Sequence, residues 1–426
     1  MRTRLPLFLL SAALLAQAPG DAVLRALRDE VARSRTLKVE NLEPPYFIEG
    51  SVDDIDSFSA TGMLGGLVRS SRSRLRVPRV QVRVGDYKFD NTNYAGFFSR
   101  SQFDRLPLDD AYPVLRRYLW LGTDRAYKTA LETISRKRAA LRNVSAGELP
   151  EDFAKATPLK RIEPVSFVPV DEPAWTRRVR AVSGVFNRFP AIRSSLTEME
   201  AVQNIHYLVN SEGSEIRFGE RILFVRSRAS SQAADGMILR DSVSFHTKDF
   251  SRFASDADLT AATTAMAGNL TALAAAPKGE PYNGPVVFER EAAAQVLAAV
   301  LGKSLSLARR PVTDPGRSGN FPPSDLEGRT GSRILPEFLD VVDDPTQTEW
   351  RGRPLLGSYS VDLEGVTAQP LTLVEKGVLK NFLLTRQPMR SVTGSNGRAR
   401  MPGSFGANAA SFSNLFIQSR DPVSLA

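Results

Sequence analysis

Residues 281–302, PYNGPVVFEREAAAQVLAAVLG, decide how the rest of the chain is read. Tyr282-Asn283-Gly284-Pro285 has turn composition: asparagine and glycine tolerate backbone angles other residues resist, and proline presets φ. Val286, Val287 and Phe288 follow as a short apolar run, expected to form a strand. From Glu289 the spacing becomes helical, and Ala292, Val296, Leu297, Val300 and Leu301 are expected on one buried face. Glu289 and Glu291 fall in the first turn, where unpaired N–H groups and the positive end of the helix dipole favour carboxylates.

Downstream, residues 353–403 carry glycine-punctuated strands, RPLLGSYSVDLEGVTAQPLTLVEKGVLKNFLLTRQPMRSVTGSNGRARMPG. With VVDD (341–344), TGSNGRAR (393–400) and FSN (412–414), this block resembles the TldD/PmbA family of zinc metallopeptidase-related, gyrase-modulator-type proteins. The resemblance covers residues 281–414 and is weaker before them, where WLGTDRAYK (120–128) and NSEG (210–213) match family phrases. It implies a helix bearing H-E-x-x-x-H in active members and a cysteine ligand just before the VVDD segment. Here Glu289 stands at the first histidine position and Ala294 at the second. Arg290 replaces the glutamate that would act as general base, and the cysteine position falls at or beside Leu339. Catalytic zinc needs about three protein ligands and an open water position. One glutamate does not supply them, so no intact catalytic residue, no metal ligand and no cofactor is expected; zinc belongs to family members with intact ligands.

Upstream, Arg2 and Arg4 precede an apolar run from Leu5 to Leu15 and an A-x-A site at Ala16–Ala18. Residues 1–20 are therefore expected to be a signal peptide, and the run is shorter than the roughly 18 residues a membrane span requires. A periplasmic or secreted protein is the expectation, with no later membrane span. The absence of cysteine excludes disulfides, thiolate ligands and a cysteine nucleophile. Hydrophobic and charged contents of 42% and 24% are those of a globular protein, and the formal charge of +9 favours anionic neighbours.

Residues 21–35 read as an amphipathic helix with Leu24, Leu27 and Val31 inward. Strands follow from Leu37 to Val84. Arg72, Arg74 and Arg76 share one strand face, expected to be solvated rather than a polyanion strip. Residues 107–144 read as two helices, the second capped by Thr123, with Trp120, Tyr127, Leu131, Ile134 and Leu141 as core. Residues 145–172 read as an exposed connection, and 172–189 as a helix. Residues 194–210 and 214–229 read as paired strands, 233–249 as a further strand or two. Residues 256–276 read as a helix with Leu259, Met266, Leu270 and Leu273 inward. The proline- and glycine-rich stretch 309–331 reads as a long loop of the kind that carries function or mobility.

Other chemistries leave weak signals. His206 and His246 lie in β-type runs and are expected to be structural, partly buried histidines. A Ser-His-Asp triad lacks a G-x-S-x-G elbow. Asp53-Asp54 and Asp343-Asp344 show no glycosidase-type spacing. Asp362 and Glu364 are expected on one face of a strand, solvated near a turn. No phosphate loop or dinucleotide fingerprint occurs, and no nucleic-acid partner is expected.

The fold expected is therefore α+β: an N-terminal domain of helices and mainly antiparallel sheet (21–255), then a β-rich C-terminal domain with one inserted helix (256–426), incomplete at its end. The resemblance implies a PmbA-like subunit without its own metal, acting on peptides or proteins as a homodimer or with a TldD-type paralogue. The alternatives are an active metallopeptidase with atypical ligands and a non-enzymatic envelope peptide-binding protein.

Overall fold

The computed structural model describes residues 21–37, 39–95, 105–142, 149–314, 316, 321, 324–390, 392–402 and 408–424. The expected leader, residues 1–20, lies outside them, as does part of the 309–331 loop. The first elements are α1 (Ala22–Ser34), β1 (Pro45–Met63), β2 (Gly66–Val84), β3 (Tyr94–Ala95), α2 (Tyr112–Leu141), β4 (Lys160–Ile162), α3 (Glu172–Ser183), β5 (Ser194–Asn210), β6 (Glu215–Gln232), β7 (Ile238–Thr247) and α4 (Asp256–Ala275). The remainder are α5 (Arg290–Leu297), α6 (Lys303–Leu305), β8 (Val312–Thr313), β9 (Leu339–Asp343), β10 (Glu349–Trp350), β11 (Arg353–Pro354), β12 (Leu371–Glu375), β13 (Val378–Leu379), β14 (Ala399–Pro402), β15 (Asn408–Ala410) and β16 (Leu415–Ser419). The architecture is α+β with mainly antiparallel sheets, as the sequence leads one to expect.

The large sheet runs β2-β1-β5-β6, and β4 and β7 share the outer edge of β6. β4 lies parallel to Glu215–Arg217, and β7 lies antiparallel to Leu223–Gln232. Strand side chains alternate faces, and one face is apolar along its length. Val52, Val82 and Tyr207 meet α1 and α2 at one end, while Phe58, Met199 and Val225 meet α3 and α4 at the other. Gly50 lets α1 sit close to the sheet: a Cβ there would lie 2.9 Å from Leu27 Cδ2 and push that side chain aside. α1 starts where Asp21 Oδ1 accepts the Leu24 N–H at 2.9 Å. Asp21 also pairs with Arg217 at 2.7 Å. Asp21→Ala is therefore expected to lower the unfolding free energy by about 1–2 kcal/mol in urea denaturation.

Several expectations are corrected on this face. Residues 112–141 form one helix, not two, because Thr123 turns its hydroxyl onto Leu119 O at 2.9 Å instead of capping a new helix. Trp120 and Leu273 point to solvent, whereas Tyr127 and Ile134 are buried as expected. Arg76 is not solvated. Arg72, Arg74 and Arg76 lie on the helix-covered face, and Arg76 Nε meets Asp54 Oδ2 at 2.7 Å. Arg74 pairs with Asp54, and Arg72 with Asp56 and Glu172. A ladder of ion pairs thus bridges the gap between the two helix pairs, with Arg72 and Arg74 exposed as expected and only Arg76 buried.

The opposite face is covered at the end that carries the β5–β6 turn, by the C-terminal unit. Leu208, Ile216 and Phe218 pack there on Val361 and Leu159. The C-terminal sheet runs β13-β12-β9-β16 around Val341, Leu373, Leu379, Phe382 and Leu383. Of residues 145–172, expected to be an exposed connection, 152–154 instead thread this seam, while none of 155–172 is buried: Asp152 and Phe153 are buried, and Lys137 Nζ meets Asp152 Oδ2 at 2.5 Å. Ala154 N donates to Arg386 O, and Glu215 N to Leu159 O, both at 2.8 Å.

Residues 286–288 join no sheet, and Tyr282, Val286, Val287 and Phe288 are exposed. α5 has no buried residue; Ala292 and Val300 face solvent, and burial begins only at Leu301 in the wider π-turn Ala298–Gly302. The widened turn shifts the apolar stripe away from the register that a 3.6-residue period predicts.

Candidate functional site

The residues at the expected metal positions are not assembled into a site. Glu289 sits at the N-cap of α5 with no side-chain bond to the helix, and Ala294 is exposed on its side. Leu339 opens β9, half-buried. A methyl and an isobutyl group offer no donor atom, so the set does not fit zinc. Among the described residues no group of three or more His, Asp or Glu side chains could hold a metal ion.

The other family phrases do converge, on buried polar bonds. Asp343 of VVDD and Arg398 of TGSNGRAR are fully buried and meet at 2.5 Å. The Arg398 guanidinium also donates to Asp343 O, Gln369 O and Asn396 O at 3.2, 2.6 and 2.7 Å. Asp343 Oδ1 accepts the Ser413 N–H at 2.6 Å, and Asn414 of FSN donates to Asp344 O at 2.9 Å. Burial pushes the Asp343 carboxyl up, against the pull of Arg398.

A second cluster lies at the seam. Asp362 and Glu364 occupy a turn rather than a strand and are buried rather than solvated. Asp362 accepts backbone N–H groups of Glu364, Val366 and Ala399 at 2.9, 2.9 and 3.0 Å. Glu364 Oε2 accepts the Arg386 N–H at 2.6 Å. The Arg386 side chain crosses the seam to Glu212 at 2.7 Å and Ala154 O at 2.9 Å. Its guanidinium lies 4.0 Å from the ring centre of Phe153, and that of Arg83 lies 3.7 Å from it. Arg83 is anchored by Asp90 at 2.7 Å.

Glu49 on β1 faces this cluster, half-buried, with no hydrogen bond to its carboxyl among the described residues. Burial pushes it up to about 7, with Arg386 opposing and Glu364 reinforcing. Burial likewise pushes Asp362 up to about 7, helped by Glu364. Arg386 Nη1 and Glu212 Oε2 are buried without a partner among the described residues. A near-neutral carboxyl beside a buried guanidinium with donors to spare can exchange a proton and bind a polar group.

His206 is buried, as expected of a structural histidine, whereas His246 is exposed on β7. His206 Nδ1 meets Asp53 Oδ1 at 2.8 Å, and Nε2 has no partner among the described residues. Burial would raise Asp53, but the bonds from His206 and Asn204 bring it below its ordinary range. With no hydroxyl on Nε2, this is a base and its orienter without a nucleophile. Farther along the same face, Lys248 Nζ donates to Ser358 O at 2.5 Å in a cleft of about 300 Å³, and burial lowers its pKa.

Glu49, Glu212 and Arg386 gave no sequence expectation. Arg386 left one signal: a lone charge in the run NFLLTRQPM, which a buried strand tolerates only with partners. Glu49 and Glu212 left none, since acidic residues on strands and turns are ordinary.

Residues 281–425 match the PmbA/TldA metallopeptidase C-terminal domain model. A metalloprotease of Archaeoglobus fulgidus is 37% identical over 78 residues, 18% of this chain and 17% of the relative. A metalloprotease of Methanothermobacter thermautotrophicus is 44% identical over 64 residues, 15% of this chain and 13% of the relative. The alignments thus span under a fifth of either relative. In solved structures the fold is similar to a candidate modulator of a DNA gyrase from Thermotoga maritima, with a TM-score of 0.55 and 12% identity over 87% of this chain and 73% of that one. It is also similar to TldE from Thermococcus kodakarensis, with a TM-score of 0.53 and 13% identity over 93% of this chain and 77% of that one.

Proposed function

Since the chain belongs to the TldD/PmbA family, whose members are metallopeptidase-related, we propose that it is a PmbA-type subunit without a zinc of its own. It acts on peptides or proteins with a second subunit, a further copy or a TldD-type paralogue bearing the intact histidines. The observation that carries this is the donor set: Glu289, Ala294 and Leu339 where a histidine pair and a cysteine would stand. A second feature supports it: the exposed apolar segment Val286–Phe288 leaves its backbone outside every sheet, which suits strand addition by a peptide or a partner. The leader-like composition of residues 1–20 supports an envelope location for this work.

Elemental analysis of the purified chain is expected to give zinc far below one equivalent. Peptidase assays on the chain alone are expected to show no chelator-sensitive cleavage, and such cleavage is expected after mixing with a TldD-type paralogue from the same genome. Stoichiometric zinc, or chelator-sensitive cleavage by the chain alone that Glu289→Ala abolishes, would overturn the proposal.

A further inference from the structure

The end of the large sheet that points away from the C-terminal unit carries two of its three hairpin tips, the β5–β6 turn lying at the other end. The β1–β2 turn lies at Met63–Gly66, and the β6–β7 turn at residues 233–237. Register places them together: Gly62 pairs with Thr197, Ser194 with Ser230, and Gln232 with Ile238. Both tips hold out apolar side chains. Met63, Leu64, Leu67 and Val68 on one, and Met237 and Ile238 on the other, are between 44% and 58% exposed.

The first tip is built, not loose. Gly65 N donates to Ser183 Oγ at 3.1 Å, Arg180 Nε to Gly65 O at 3.2 Å, and Asn187 Nδ2 to Leu64 O at 3.2 Å. Leu64 is held at φ 50°, in the left-handed region. A bulky residue is costly there, and asparagine or glycine is the ordinary choice for such a turn. The turn thus keeps an exposed leucine at the position where folding alone disfavours one, which points to use of its side chain.

The surroundings are basic. Arg69, Arg193 and Arg240 have no ion pair among the described residues, while Arg180 and Arg188 bond only to neutral groups. A groove of about 570 Å³ between the tips is lined by Met63, Ser194, Ser230, Arg226, Arg228 and Arg240. Of its acidic neighbours, Glu198 is paired with Arg226 and Arg228, while Asp241 in the groove and Asp235 on the second tip keep their charge and each accepts a backbone N–H, leaving arginine in excess.

We propose that this end of the sheet is a docking surface for an anionic lipid bilayer, with the two apolar tips entering the headgroup region and the arginines meeting lipid phosphates. Apolar residues ringed by arginine are the chemistry that seats a protein in the bilayer interface, where side chains penetrate about 5–10 Å. The charge is complementary, the apolar groups come from two neighbouring turns, and no helix of the described residues is long and apolar enough to span the membrane in their place.

The chain has no cysteine, so Leu67→Cys and Met237→Cys can each carry one environment-sensitive fluorophore on the full-length protein. With vesicles of phosphatidylcholine and about 30% phosphatidylglycerol, both probes are expected to shift to the blue and brighten at least twofold. The response should be several-fold weaker with pure phosphatidylcholine and should fall in high salt. A probe at Ser145→Cys, away from the tips in sequence, serves as the control and should not respond. Leu64→Asn is expected to raise the thermal midpoint by relieving the turn, yet to reduce vesicle binding at least threefold. Unchanged tip probes, equal binding by Leu64→Asn, or tip probes that respond only to dimer formation or to added protein would overturn the proposal.

Discussion

Replacing Arg398 with methionine is expected to lower the unfolding free energy by about 3–5 kcal/mol, the usual cost of stranding one partner of a buried ion pair. The guanidinium is fully buried, pairs with the equally buried Asp343, and serves three carbonyl oxygens besides. Methionine fills much of the volume, so the loss reports the charge left on Asp343 and the carbonyls left without donors. Urea denaturation of wild type, Arg398→Met, Asp343→Asn and the double variant gives the test. The double variant should lose clearly less than the sum of the singles, because the stranded charge is gone. A loss under about 1 kcal/mol for Arg398→Met would show that the pair does not hold the C-terminal sheet to its glycine-rich turns.

Stability should also fall as the pH rises from about 4.5 to about 7.5. Glu49 and Asp362 are pushed up to about 7, and Glu364 is raised by burial as well. In that window the folded chain holds protons that the unfolded chain has released, so each rise in pH favours unfolding. The contribution is complete below the ordinary carboxylate range and lost through about pH 7. Below about pH 4 the slope reverses, because Asp53, Asp90 and Asp344 are held below their ordinary range despite burial by bonds from His206, Arg83 and Thr346. Maximum stability is thus expected at mildly acidic pH, and the decline toward pH 7.5 should amount to a few kcal/mol. Glu49→Gln and Asp362→Asn should each flatten it. A pH-independent midpoint between 5 and 7.5 would contradict the assignment.

Much of the N-terminal half was legible because alternation and helical spacing there answer to a single apolar face. The ranges 194–210 and 256–276 agree with β5 and α4 to a residue or so. What failed was polar burial. Arg76 on β2 reads as part of a solvated face, since a sequence cannot show that Asp54 lies opposite it, while Arg72 and Arg74 are exposed as expected. Asp362 and Glu364 read as exposed for the same reason, as their partners are backbone N–H groups and Arg386. Around α5 the failure was different: Val286–Phe288 has strand composition, but no described strand lies beside it. The candidate site was legible only as a missing one, through Ala294 and Leu339. The seam cluster that the structure assembles draws Glu49, Glu212 and Arg386 from three distant segments, and only the fold brings them together.

The seam also sets a clock for synthesis. Leu208, Ile216 and Phe218 leave the ribosome as part of a sheet face that only Leu159 covers until Val361 arrives, and Phe47 has only Phe153 beside it until Arg386 does. About 130–150 residues separate the end of β6 from that cover, and at 5–20 residues per second the face stays only partly covered for roughly 6–30 s. Helices seal the other face as they emerge, but this one is closed only by the C-terminal unit, so a nascent molecule needs shelter from its neighbours for that interval.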